Sequence, residues 1–364
     1  MQTSPRAQLE AQAASCLAPY VVASGAIAVL VSLAGQYLAP PVLERLALYP
    51  LLLGMVFVGL PHGALDHLIP ARLGLVWGKR PLAVSVYLLV YMAVAGAYLL
   101  LWLSYPLWAF VGFLLATVWH WGQGDLRFWE IFLQRRRPNA WGAAVSLLLR
   151  GSLPMVVPVL FFPEIATSLY QHASAGLGVA AAPIDLQAPL LVGSLVAYLL
   201  LLSVAYVYNA WRANKNPTYA ALDIAEIVLL WLLFSTITAY LAIGIYFIAW
   251  HSLRHLARLL LLRAEDCQQI VQGQWRQPWQ RLARDLTPIT VLALLMLGAL
   301  YWLSSARIAS LEGFVALYLV FISALTKPHL LVVVMMDIVP APLSGRATSA
   351  LAARASNNVS NRTA

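Results

Sequence analysis

Apolar residues run through this chain in stretches too long and too continuous for the alternation of a strand or the narrow stripe of a soluble helix. Short polar or proline-bearing breaks separate them. The runs lie near 20–38, 44–61, 82–104, 106–121, 141–162, 188–210, 219–236, 238–262, 287–304 and 311–338, which predicts ten helices. One bilayer crossing uses about 20 residues. The long run from 219 to 262 therefore has to be cut, and Ser235 to Thr238 is the weakest place; Ser104-Tyr105-Pro106 likewise has to hold one short turn between two helices. The expected fold class is all-α, a polytopic transmembrane bundle of about ten helices. Residues 1–19 are expected to form a partly disordered leader, 20–339 the transmembrane catalytic domain, and 340–364, which lack an apolar period, a disordered tail. The segment 163–187 contains no Lys or Arg and is expected to make a surface or re-entrant helix, with His172 in an exposed loop.

Composition strengthens that picture. Of 364 residues, 62% are hydrophobic and 10% are charged, against about 25% charged in soluble domains. The formal charge of +9 is read as membrane topology and not as affinity for nucleic acid, because the basic residues fall almost wholly on one side. With both termini placed in the cytoplasm, 19 of the 23 Lys and Arg residues lie on inner segments or inward helix ends. A multi-pass protein of the inner (plasma) membrane is expected. Two cysteines, Cys16 and Cys267, exclude both a disulfide framework and a thiolate metal cluster. Any metal has to be held by histidine and carboxylate.

The candidate chemistry lies with the seven histidines. In Tyr246-Phe247-Ile248-Ala249-Trp250-His251-Ser252-Leu253-Arg254-His255, two imidazoles four residues apart share a helix face, as a metal requires. Ionisable groups in so apolar a segment cost free energy unless they are coordinated or face a polar cavity. On the topology above, His62, His67, His120, His251, His255 and His329 all fall in one half of the membrane or at its border, whereas scattered histidines would occupy both. Gly59-Leu60-Pro61-His62-Gly63-Ala64-Leu65-Asp66-His67 places a helix break before a histidine, with a carboxylate four residues on that can orient an imidazole. His67 reads equally as part of a polar turn at the lipid border. Trp119-His120-Trp121-Gly122-Gln123-Gly124-Asp125 sets a histidine between indoles, which suits an interfacial belt or the wall of an apolar channel. Lys327-Pro328-His329 lies within a helix, where His329 serves as a ligand or, on balance, as an outer donor.

Four ligands, His62, His120, His251 and His255, would hold a divalent metal and leave two octahedral positions open for a small molecule; imidazole suits iron, copper, zinc and nickel alike. Asp66, Asp125 and Asp337, with His67 and His329, are candidates for the surrounding shell. The carboxylates Asp66, Asp125, Asp223, Glu226 and Asp337 can equally pair with Arg150, Arg254 or Lys327.

At these residues the chain resembles the Brp/Blh family, the membrane-bound bacterial and archaeal β-carotene 15,15'-dioxygenases that supply retinal to microbial rhodopsins. The likeness rests on 59–67, on Trp119-His120-Trp121-Gly122, on Trp250 to His255, and on Lys327-Pro328-His329 followed by Asp337, and spans roughly 54–337. It implies Fe(2+) held by His62, His120, His251 and His255, no catalytic residue beyond those ligands, β-carotene and O2 as substrates, and a microbial rhodopsin as recipient of the retinal. Trp119, Trp121, Tyr246, Phe247 and Trp250 would then line a substrate tunnel. A histidine-relay transporter would spread polar residues over both membrane halves. A two-iron desaturase would need more histidines. A haem cannot take His251 and His255 as opposite axial ligands. A silent carotenoid- or retinal-binding accessory protein stays open.

Overall fold

The computed structural model describes residues 5–135, 139–213 and 217–339. Every described element is helical. The principal helices are α1 (Pro5–Leu38), α2 (Leu48–Arg72), α3 (Pro81–Ser104), α4 (Pro106–Phe132), α5 (Ala140–Phe161), α6 (Pro163–Leu177), α7 (Pro189–Ala213), α8 (Pro217–Thr236), α9 (239–261), α10 (Ala264–Val271), α11 (Arg276–Ser304) and α12 (Leu311–Ile338). Among the described residues, eight helices are long and apolar enough to cross a membrane: all of these except α4, α6, α9 and α10. The expected runs 106–121 and 238–262 are helical as well, within α4 and α9. Trp, His and Gln dilute the hydropathy of α4, and a π turn, Phe247–Ser252, divides α9.

Proline begins α3, α4 and α6 at positions where its missing N–H costs nothing. Asn139 and Ser310 cap α5 and α12, each side chain accepting the N–H of a glycine three residues on. The two weak places in the apolar runs break at Tyr105 and between Thr236 and Ala239, as the sequence implies.

The N-terminal stretch departs from expectation. Residues 5–19 are the first turns of α1 and not a disordered leader. Arg6, Leu9, Ala13, Leu17 and Val21 recur every three to four residues and are buried, packing beside Ala257, Leu260, Leu261, Ala264 and Cys267; Arg6 Nη2 also donates to the Leu261 carbonyl at 2.6 Å. Ala13, Ala14 and Ala18 are buried with the stripe, and alanine is a residue whose burial hydropathy alone underrates. α4 also runs past the expected end at 121, so Gln123, Asp125 and Trp129 are helical and buried. The 163–187 segment contains α6, which buries Tyr170, Ala173 and Ser174. His172 is exposed, as expected, but sits on that helix and not in a loop. The expected tail, 340–364, lies outside the described residues.

Two close crossings position the interior. A Cβ on Gly122 of α4 would strike the Leu147 carbonyl of α5, and one on Gly151 would strike the Val118 carbonyl, so these helices meet backbone to backbone. On α9, a Cβ at Gly244 would lie 2.6 Å from the Leu51 backbone nitrogen of α2. That contact sets the π turn Met55–Gly59 of α2 against the π turn of α9. A π turn widens its helix and rotates the residues beyond it, and such turns concentrate at functional sites; here each leads into or contains one of the histidines.

Candidate metal centre

Five of the seven histidines meet at one place. His62, His120, His251, His255 and His329 come from α2, α4, α9 and α12, and their ring centroids lie 4.9 to 6.4 Å apart in the pairs that touch. All five are buried. His62, His120 and His329 each offer a ring nitrogen within 4.8 Å of the others. Pro61 interrupts the backbone ladder of α2, and the Gly59 carbonyl accepts from His62 Nδ1, which leaves Nε2 free of that bond. His329 is held in the same manner from outside: its Nδ1 donates to Asp66 Oδ2 at 2.8 Å, and Tyr91 donates to the same oxygen at 3.0 Å.

Five of the remaining ring nitrogens have no partner among the described residues. Both nitrogens of His120 and Nε2 of His251, His255 and His329 are buried without a hydrogen bond. An orphaned buried polar atom costs about 1–3 kcal/mol, so several in one spot are not tolerated for packing alone. A metal ion fits them: buried imidazoles, with the outer nitrogens of His62 and His329 anchored and ring nitrogens of His62, His120 and His329 within 4.8 Å of one another while His251 and His255 adjoin that trio, offer the kind of donor set that a divalent transition metal takes. Cys267 is turned elsewhere: its Sγ faces the Leu261 carbonyl, and burial pushes its thiol up to about 12.

The expected surrounding residues divide into two groups. Asp66 touches a site imidazole, as expected. His67 lines the cavity described below, but its Nδ1 turns to the Ala64 carbonyl at 2.9 Å and its ring lies outside the cluster. Asp125 is tied up elsewhere: it accepts from Arg254 at 2.9 Å, Arg150 at 3.2 Å and Trp250 Nε1 at 3.1 Å. Glu226 and Asp223 complete that buried network on Arg150 and Arg254. Asp337 likewise pairs with Arg258 and Arg127 and accepts from Gln123. Asp125 and Asp337 therefore hold helices to one another and do not bond the imidazoles. Lys327 stays apart, donating to the Gly112 carbonyl over the Tyr98 ring. His329, expected as an outer donor, stands inside the cluster.

The histidines form part of the wall of an apolar cavity of about 390 Å³. Beside His62, His120 and His329 its lining includes Leu88 and Met92 of α3, Ile289 of α11, Pro158 of α5, Ile165 of α6 and Tyr240 of α9. Of the five aromatics expected to line a tunnel, Trp121 and Phe247 do so. Trp119 is 49% exposed and faces away, one residue out of phase with His120. Tyr246 and Trp250 are buried behind the site, where Trp250 stacks under Arg254. Tyr91, Tyr240 and Tyr318 are lining aromatics that no local sequence signal marks.

A helical protein that gathers imidazoles on the wall of an apolar cavity is built as an enzyme for a water-insoluble molecule. Residues 53–337 match the family described as beta-carotene 15,15'-dioxygenase, and the chain belongs to that family. It is 34% identical over 338 residues to a probable beta-carotene 15,15'-dioxygenase Blh of Halobacterium salinarum, covering 90% of this chain and 95% of that protein. A probable beta-carotene 15,15'-dioxygenase Brp of the same species is 26% identical over 316 residues, 77% of this chain and 81% of that protein. A beta-carotene 15,15'-dioxygenase of uncultured marine bacterium 66A03 is 23% identical over 299 residues, 80% of this chain and 94% of that protein. No solved structure matches the chain.

Proposed function

We propose that this enzyme is a membrane-embedded, non-haem iron(II) dioxygenase that cleaves the central 15,15' double bond of β-carotene with O2, each of the two retinal products taking one oxygen atom. The observation that carries the reading is the set of unpartnered imidazole nitrogens on the wall of an apolar cavity. His62, His120, His251 and His255 would hold the metal, with His329 turned to the same point. Iron(II) held by these residues would supply O2 activation, and the electron-rich polyene would make an α-keto acid unnecessary.

The chain's own residues provide the rest. Asp66 and the Gly59 carbonyl fix the outer nitrogens of His329 and His62, so the inner nitrogens are presented without searching. Cleaving one bond among many conjugated ones is a matter of placement. A rigid polyene held in the cavity with its middle beside the imidazoles would meet that requirement, while the Leu, Met and Phe side chains of the lining exclude water from it. Embedding in a multi-pass manner rests on the eight apolar helices; cytoplasmic termini and an inner-membrane location rest on the distribution of Lys and Arg. A rhodopsin is the recipient we propose for the retinal.

Metal analysis of purified protein, followed by retinal formation from β-carotene in aerobic and anaerobic buffer, tests the reading. Stoichiometric iron and strictly O2-dependent retinal are expected. Retinal formed by metal-free protein would overturn it.

A further inference from the structure

A substrate as apolar as the bilayer has to reach a cavity that is deep in the protein, and the cavity wall itself indicates where. Most of the side chains that line it are buried or half-buried. Among the described residues, three lining side chains are also exposed on the outer surface: Leu88 at 37%, Met92 at 43% and Leu292 at 51%. A residue that belongs to both surfaces marks an opening. Leu88 and Met92 stand one helical turn apart on α3; Leu292 stands on α11 with Ile289 and Met296, three and four residues away, on the same wall.

Both helices suit an opening toward lipid. Within their most apolar windows only 6% of α3 and 11% of α11 is buried, against 61% of α5. α3 rests on α12 and α4, and α11 rests on the 60–63 turn of α2; extended packing is absent between α3 and α11 among the described residues. The seam is rimmed by unbranched or γ-branched side chains, whose rotamers change without moving backbone. Just inside it stands Tyr91, whose hydroxyl holds Asp66 and through it His329.

We propose that the seam between α3 and α11, rimmed by Leu88, Met92 and Leu292, is the lateral portal through which the long apolar substrate passes between the lipid and the metal centre. The inference rests on the carotenoid-cleaving, membrane-embedded reading above and adds the route. It makes Leu292 and Met92 access-controlling residues.

The test uses the full chain in liposomes, in a Cys16→Ala, Cys267→Ala background. Leu292→Cys and Leu88→Cys are each labelled with a bulky maleimide; Leu295→Cys, on α11 and 66% exposed but not lining the cavity, is the control. β-Carotene uptake is followed anaerobically by its absorption shift, and retinal formation separately in air. Labels at 292 and 88 are expected to slow uptake about 10-fold or more, the scale on which association rates answer to a changed approach path, with metal content unchanged and the label at 295 without effect. Uptake undiminished by labels at 292 and 88, or slowed equally by the label at 295, would overturn the portal. Normal anaerobic uptake by unlabelled protein with no retinal in air would instead refute the dioxygenase reading and leave the portal standing.

Discussion

α9 carries two buried polar groups on its two sides, and they are treated in opposite ways. On one side Trp250 and Arg254 meet Asp125 and Glu226; Arg150, fully buried, adds Asp223 and Tyr206 to the same network. Each charge there has a counter-charge within hydrogen-bonding distance. On the other side His251 and His255 present nitrogens that bond to nothing in the described chain. Both groups cost desolvation, and only the first recovers it within the chain. The satisfied side is therefore structural, clamping α9 to α4, α5 and α8, and the unsatisfied side is the one that waits for a ligand. Burial by itself does not separate the two, and Arg254 Nε is unpartnered on the first side as well; what separates them is that each ion of the first side meets a counter-charge, whereas the imidazole nitrogens of the second meet no polar group.

That contrast can be broken or sharpened by four substitutions, taken from the largest expected loss of metal-dependent activity to the smallest. His120→Ala removes the imidazole with both nitrogens orphaned. Metal affinity should fall by more than about 100-fold, beyond the usual cost of losing an outer partner, and retinal formation should vanish while helicity by circular dichroism persists. Stoichiometric metal in this variant would place His120 outside the ligand set. Asp66→Asn keeps shape but weakens the anchor of His329; about 10- to 100-fold in metal affinity is expected, read by competition with a chelator, and an unchanged affinity would reduce Asp66 to packing.

Arg150→Met acts on the other side. It takes the guanidinium away from Asp223 and leaves Asp125 and Glu226 to share Arg254, so stability should drop by about 3–5 kcal/mol, seen as poor yield and a lowered melting temperature in detergent. The molecules that do fold should hold their metal; loss of metal at unchanged stability would merge the two sides into one functional unit. His172→Ala, on the exposed face of α6, should leave activity and stability within about 0.5 kcal/mol. A large loss of retinal formation there would make α6 a working part of the site and not a cover.

Much of this molecule is legible in its sequence, and the reasons are local. The hydrophobic runs, proline starts and the breaks at Tyr105 and 237–238 depend on neighbours in sequence, so the helices can be read from them. The histidines stand out because an imidazole in an apolar run needs a reason, whichever helix carries it. Other features depend on distant partners. Nothing near Asp125 or Asp337 says whether arginines or the imidazoles will reach them first, so in sequence the two readings stand level until Arg150, Arg254, Arg258 and Arg127 are placed against them. Nothing near Trp119 says that the neighbouring position, and not it, will face the cavity. The helix at 5–19 is hidden because alanine signals burial only when something packs against it, here the turns around Leu261.

The sequence by itself determined that this is a bundle of apolar helices with a small set of imidazoles in it, since hydropathy, breakers and residue chemistry are properties of short stretches. Only the tertiary structure decided which imidazoles share a point, that His329 is among them, which carboxylates are consumed by arginine, and where the cavity opens between α3 and α11. Those are matters of helix rotation and of pairing across as many as 263 positions between Asp66 and His329. A turn of one residue on any helix would redirect a side chain by about 100°, and that phase is set by the packing of the whole bundle.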